Sequence, residues 1–133
     1  MQVDENTEKS LVFAAIDVLQ NSYSPYSRFK VGAAVLGESG KIYSGSNIEN
    51  ASFGLTICAE RSAIFNGVSA GERKFVALAV VADGEAYPCG ACRQVFAEFA
   101  DDDAIIIIAD PQGSIIDTTT LGKFLPKAFR LKK

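Results

Sequence analysis

The sequence predicts an α/β domain of three layers, α/β/α, with a mixed sheet of roughly five strands between its helices. Two continuous apolar runs, Phe75 to Ala82 and Ile105 to Ala109, have the composition of strands buried on both faces. Lys30 to Leu36 and Lys41 to Asn47, joined by Gly37-Glu38-Ser39-Gly40, read as a hairpin. From residue 75 onward strands and helices alternate, which points to parallel pairing in the second half.

Taken in order, Asp4 to Gln20 reads as a helix with Asp4 or Asn6 as N-cap and acidic residues in its first turn. Leu11, Ala15, Val18 and Leu19 form one apolar stripe, which Val12, Phe13 and Ile16 widen beyond half the circumference. A helix that apolar is expected to be covered on more than one side, by its own core or by another subunit. Asn21 to Ser27 is loop, because Pro25 biases Ser24 away from helix. The hairpin follows, and Glu49 to Leu55 leads as a loop to the first cysteine. Cys58 to Val68 has helical spacing and ends at Gly67 and Gly71. After the strand at Phe75 comes a turn at Asp83-Gly84-Glu85, then a helix from Cys89 to Ala100 with Pro88 at its start, where a missing N–H costs nothing. Ser114 to Asp117 is a short last strand and Leu121 to Leu125 a short helix stopped by Pro126. No repeat or linker interrupts the 133 residues, so one domain spanning 1–133 is expected.

Composition narrows the function. Thirteen basic against sixteen acidic residues leave a net charge of −3, and the pI is near 4.9. A protein that grips a phosphate backbone carries a basic patch; here no basic run is longer than a pair such as the tail's Lys132-Lys133. Small-molecule chemistry is favoured over nucleic acid. No apolar run approaches the roughly 20 residues that cross a bilayer, and no secretory leader pattern is visible, so no membrane association is expected. Three cysteines, an odd count, fit a disulfide framework poorly and a reducing cytoplasm well. With 48% hydrophobic residues the chain is apolar enough to suggest surface hidden between subunits. Histidine is absent, which excludes Ser-His-Asp and Cys-His machinery and leaves sulfur or carboxylate to hold any metal.

All three cysteines lie between Thr56-Ile57-Cys58-Ala59-Glu60-Arg61 and Pro88-Cys89-Gly90-Ala91-Cys92-Arg93-Gln94. Cys89 and Cys92, three apart, share a helix face with their β-carbons about 5–6 Å apart. Each cysteine sits at a helix start, where unsatisfied N–H groups and the helix dipole stabilise thiolates. Three thiolates fill three zinc positions and leave a fourth for water, the pattern of a catalytic site. Glu60 is the candidate proton shuttle. Residues two apart on a helix point about 200° away from each other, so Cys58 and Glu60 converge only on a site beyond the helix end. A redox Cys-x-x-Cys pair, inert buried cysteines and a structural metal site stay open as other readings of the same residues. A Cys-Ala-Glu followed, 31 residues after its cysteine, by Pro-Cys-x-x-Cys is the most specific feature.

Here the chain resembles the cytidine deaminases of the small, homotetrameric type that use three cysteines. The likeness also includes Ser24-Pro25-Tyr26-Ser27-Arg28-Phe29-Lys30-Val31-Gly32-Ala33-Ala34, Gly45-Ser46-Asn47-Ile48-Glu49-Asn50-Ala51 and Leu125-Pro126-Lys127-Ala128-Phe129, and covers roughly residues 8 to 129. The resemblance implies one Zn²⁺ per chain on Cys58, Cys89 and Cys92, with Glu60 as general acid/base. It implies hydrolysis of cytidine and 2′-deoxycytidine to the uridine nucleosides and ammonia, a step of pyrimidine salvage. Asn47 and Glu49 would hydrogen-bond the ribose hydroxyl, Phe29 would pack on the pyrimidine, and the Ala59 N–H would meet the base carbonyl. Ala51, Phe53 and Phe129 would reach the sites of neighbouring subunits in a homotetramer. The family usually carries tyrosine where this chain has Phe53, so one hydroxyl contact to the nucleoside would be missing. Three thiolates on Zn²⁺ leave an excess negative charge, which Arg61, and also Gln94 or Arg93, would offset by donating to the sulfurs. Arg93 reads equally well as a solvated surface charge.

Overall fold

The structure is a computed structural model that describes residues 3–133. The first helix, α1 (Glu5–Leu19), opens on Asp4, whose Oδ1 accepts a 2.8 Å hydrogen bond from the Thr7 amide. Strands β1 (Val31–Gly37) and β2 (Ile42–Ser46) form the expected antiparallel hairpin. Then come α2 (Ala59–Ser69), β3 (Phe75–Ala82), α3 (Gly90–Phe99), β4 (Ala100–Ala109), β5 (Ile115–Thr120) and the single turn α4 (Leu121–Phe124).

The five strands form one sheet in the order β2-β1-β3-β4-β5. β3 and β4 pair in parallel, while every other pair is antiparallel. The expected parallel half thus shrinks to one pair. The physical reason is the Asp110–Gly113 turn, closed by Asp110 Oδ1 accepting from the Gln112 and Ser114 amides, which is too short for a crossover and forces β5 to fold back. Local details also differ. β4 begins at Ala100, directly after α3, because its pairing with β3 starts at Phe75↔Ala100 before an irregularity carries it to Ala77↔Ile105. Within the loop before the first cysteine, Phe53–Leu55 makes a 3₁₀ turn.

Side chains alternate across the centre of the sheet, with a break at the irregularity between Phe75 and Ala77. Ala33, Val35, Leu78, Val80, Ile106 and Ile108 face one core, shared with α2, α3 and α4, while Ala34, Leu36, Ala77, Ala79, Val81 and Ile107 face another, shared with α1. This is the three-layer arrangement expected. Phe75 and Phe96 are fully buried in the first core, each stabilising the fold by roughly 2–3 kcal/mol of burial. On α1 only Leu11, Val12 and Ala15 are buried; Phe13 is 70% exposed, so its second apolar side has no cover among the described residues.

Two glycines let the helices approach the hairpin from opposite faces. A Cβ on Gly32 would stand 2.1 Å from the Ala15 carbonyl oxygen of α1, and one on Gly45 would stand 2.5 Å from the Ala63 amide nitrogen of α2. Both obstacles are backbone and cannot rotate away. Gly32→Ala is expected to cost about 1–3 kcal/mol by overpacking, read as a lower Tm in thermal unfolding; an unchanged Tm would refute this close fit.

Candidate metal centre

Three sulfurs meet where two helices begin. Cys58 is the N-cap of α2, in an extended conformation that turns its side chain ahead of the helix. Cys89 is the N-cap of α3, and Cys92 lies in that helix's first turn. The helices therefore start one residue later than the spacing predicts, and Cys58 and Cys89 precede them as caps. That geometry resolves the problem posed by Cys58 and Glu60, since the cap points forward while Glu60 occupies the first turn behind it. The Sγ atoms of Cys58, Cys89 and Cys92 lie within 4.8 Å of one another, with Cys89 and Cys92 3.4 Å apart. A tetrahedral zinc with bonds near 2.3 Å separates its sulfurs by roughly 3.8 Å, so the observed spacing and the all-sulfur donor set fit one Zn²⁺ per chain. A Cys-x-x-Cys redox pair has no use for the third thiol beside it.

Charge around the cluster is organised. A hydrogen bond from Cys92 is the largest influence holding the Cys58 thiol down, to about 5, with the Arg61 guanidinium acting in the same direction against partial burial. Cys92 is pushed upward by that same bond, by its burial and by the Glu60 carboxylate. Arg61 Nη2 donates to Cys58 Sγ at 3.3 Å. Its Nε is buried without a partner, leaving this guanidinium with donor capacity beyond the contact it makes. Glu60 is 5% exposed, and burial, aided by the Cys58 charge, raises its carboxyl to about 7.

The segment expected to hold ribose is braced to the first cysteine by a three-stranded patch. Tyr23 bridges Ile48 in parallel and Ile48 bridges Ile57 antiparallel, with reciprocal 3.0 Å bonds between the Ile48 and Ile57 backbones. Asn47 is nearly buried; its Oδ1 accepts from the Val31 amide at 3.0 Å and from Ser22 Oγ, and its Nδ2 donates to the Phe29 carbonyl at 2.7 Å. Glu49 Oε1 accepts from the Tyr26 and Ser27 amides at 2.9 and 3.1 Å, and Oε2 from Ser27 Oγ. These bonds, the Ser27 ones foremost, hold the Glu49 carboxyl below its usual range. Beside it a cavity of about 390 Å³ is lined by Tyr26, Ser27, Glu49, Phe53 and Thr56.

Cys58, Ala59, Glu60, Arg61, Cys89 and Cys92 are thus gathered at one place. Phe29 is 42% exposed, and Phe53 and Phe129 are 72% and 68% exposed, while Ala51 is also on the surface. Phe53 meets Tyr26 edge-on at 5.6 Å. Gln94 departs from its expected place at the sulfurs, since its amide donates to the Phe129 carbonyl at 2.8 Å. Two residues beyond Cys92, it points about 200° around α3 from it. Arg93 is no solvated charge either, as its guanidinium binds the Pro88 and Phe124 carbonyls. Sequence reasoning missed the bracing by Ser22 and Ser27, for which serines flanking Pro25 were the available signal.

The profile of the "cytidine and deoxycytidylate deaminase zinc-binding region" matches residues 5–108. The chain belongs to this family. A cytidine deaminase of Sporosarcina psychrophila is 53% identical over 112 residues, covering 83% of this chain and 82% of the relative. One from Halalkalibacterium halodurans is 50% identical over 121 residues, covering 90% and 91%. Among solved structures, the cytidine deaminase of Burkholderia pseudomallei superposes with a TM-score of 0.84 at 44% identity, covering 90% of this chain and 97% of that one. That of Mycobacterium tuberculosis gives 0.79 at 38% identity, covering 98% and 100%. Family membership and the sulfur geometry agree on a zinc site that this chain builds from cysteine alone.

Arg61→Gln is expected to weaken zinc binding by about 10–100-fold, the usual effect of losing a partner of a metal ligand. Competition against a chelator of known affinity reads it; an unaltered affinity would remove Arg61 from this role.

Proposed function

We propose that the protein is a zinc-dependent cytidine deaminase, hydrolysing cytidine and 2′-deoxycytidine to uridine and 2′-deoxyuridine with release of ammonia, as in pyrimidine salvage. The observation that carries this reading is the cluster of three cysteine sulfurs at two helix starts with the buried Glu60 behind it. Zinc held by Cys58, Cys89 and Cys92 supplies Lewis acidity that brings a bound water near neutral pKa.

The chain's own residues do the rest. Glu60 takes a proton from the attacking water and passes it to ring N3, then moves the second proton to the exocyclic nitrogen, which leaves as ammonia. Water and cytidine in, uridine and ammonia out, the protons balance on this one carboxylate. The Ala59 amide, in the first turn of α2 where amides lack helical partners, donates to the base carbonyl. Phe29 packs against the pyrimidine. Asn47 has spent one of its two amide hydrogens on Phe29, and Glu49 has accepted three hydrogen bonds. One hydrogen and one lone pair remain for ribose hydroxyls, which suits their role. Residues 1–133 act as a single catalytic domain, working in the cytoplasm. No helix among the described residues is long and apolar enough to cross a membrane, and nucleic acid is not a partner of so acidic a chain.

Ala51, Phe53 and Phe129 serve the sites of neighbouring subunits in a homotetramer. Their exposure and the uncovered Phe13 side of α1 support this. With phenylalanine at 53, the neighbour's nucleoside receives an apolar edge without a hydroxyl, which shifts ribose affinity and leaves the deamination chemistry alone.

Glu60→Ala should retain fold and zinc while losing about 10²–10⁴-fold or more in turnover. The loss of cytidine absorbance, followed with zinc quantified on the same sample, measures it; substantial deamination by that variant would show Glu60 misassigned. Light scattering of the wild type is expected to give four chains per particle, and a clean, active monomer would sink the shared site.

A further inference from the structure

Arg93 follows Cys92 on α3, yet it makes no hydrogen bond to a sulfur. Its Nε donates to the Pro88 carbonyl at 2.7 Å and its Nη1 to the Phe124 carbonyl at 2.8 Å. The guanidinium carbon also stands 4.6 Å from the centre of the Phe124 ring. Pro88 is buried and immediately precedes Cys89, so the direction of its carbonyl sets the peptide plane that leads into that ligand. Phe124 ends α4 and opens the tail toward Phe129, whose carbonyl the neighbouring Gln94 holds. Farther along, Arg130 Nε and Nη2 donate to the Ala97 and Ala100 carbonyls, both at 3.1 Å. The tail is thus laid along the helix that carries two of the three cysteines, and Arg93 is the tie nearest to them.

We propose that Arg93 is a positioning residue that presets the backbone approach to Cys89 and anchors the tail bearing Phe129, so that metal retention and nucleoside binding depend on one side chain. The inference rests on the deaminase reading for its second half and on the sulfur cluster for its first. Geometry demands arginine. The two carbonyls lie in separate elements and are met by two nitrogens of one rigid planar fork, which a single ammonium on a flexible stem does not reproduce. Arg61 acts on a sulfur directly; Arg93 acts only through the chain.

The test uses the intact zinc-loaded protein and compares wild type with Arg93→Lys and Arg93→Gln. Zinc release into excess chromogenic chelator is timed, kcat and KM for cytidine are measured, and thermal unfolding is recorded for each. Both variants are expected to release zinc about 10-fold faster or more, with KM rising by more than kcat falls, and lysine is not expected to rescue either property. Gly32→Ala, which disturbs the opposite face of the sheet, is the stability control. Wild-type release and KM in Arg93→Lys would overturn the proposal by showing that charge or bulk suffices. Equally fast release from Gly32→Ala at a matching loss of Tm would overturn it by showing general destabilisation. Should Arg93→Gln not fold, Arg93→Lys carries the test alone. A wild type without deaminase activity would sink the functional reading, while the zinc-release comparison would still decide Arg93's part at the metal.

Discussion

Three thiolates on one divalent cation, with no histidine among them, would carry one negative charge more than the metal cancels, and the groups around the sulfur cluster bear on that excess. Two helices end there with their amide-rich N-termini inward, because cysteines cap both of them. Arg61 adds a full positive charge against Cys58 at 3.3 Å. Burial lifts the carboxyl of Glu60, the one carboxylate in the cluster, to about 7, where it can both take up and give back a proton. The sheet supplies rigidity. β3 and its neighbours are buried on both faces, so α2 and α3 are seated on a platform that cannot shift without opening two cores.

Much of this was legible in the chain itself. The double-sided strands announced themselves as unbroken apolar runs at Phe75–Ala82 and Ile105–Ala109, since a strand with two covered faces has no polar positions to alternate. The hairpin followed from its Gly-rich turn. The cysteine spacing brought Cys89 and Cys92 together because helix geometry converts a three-residue interval into a shared face. What escaped has a common cause. The tail laid along α3 and the Phe124 and Phe129 carbonyl partners of Arg93 and Gln94 are set by contacts between residues about 30 apart. Such contacts leave no periodic trace. Arg93 looked like a surface charge because its partners are backbone carbonyls, which every residue has and no composition reveals. Asn47 and Glu49 were found by family likeness, and their structure adds that each spends most of its hydrogen-bonding capacity on the 22–31 loop before any ligand arrives.

The patch formed by Tyr23, Ile48 and Ile57 closes a ring of chain between residues 48 and 57. Both ends of that ring are clamped by reciprocal backbone bonds, and the residue after it is Cys58, one of the three clustered sulfurs. Residues 50–56, including the 3₁₀ turn and exposed Phe53, hang outside the clamp. A pair of peptide hydrogen bonds between Ile48 and Ile57 thus divides the anchored approach to Cys58 from an exposed excursion that carries Phe53.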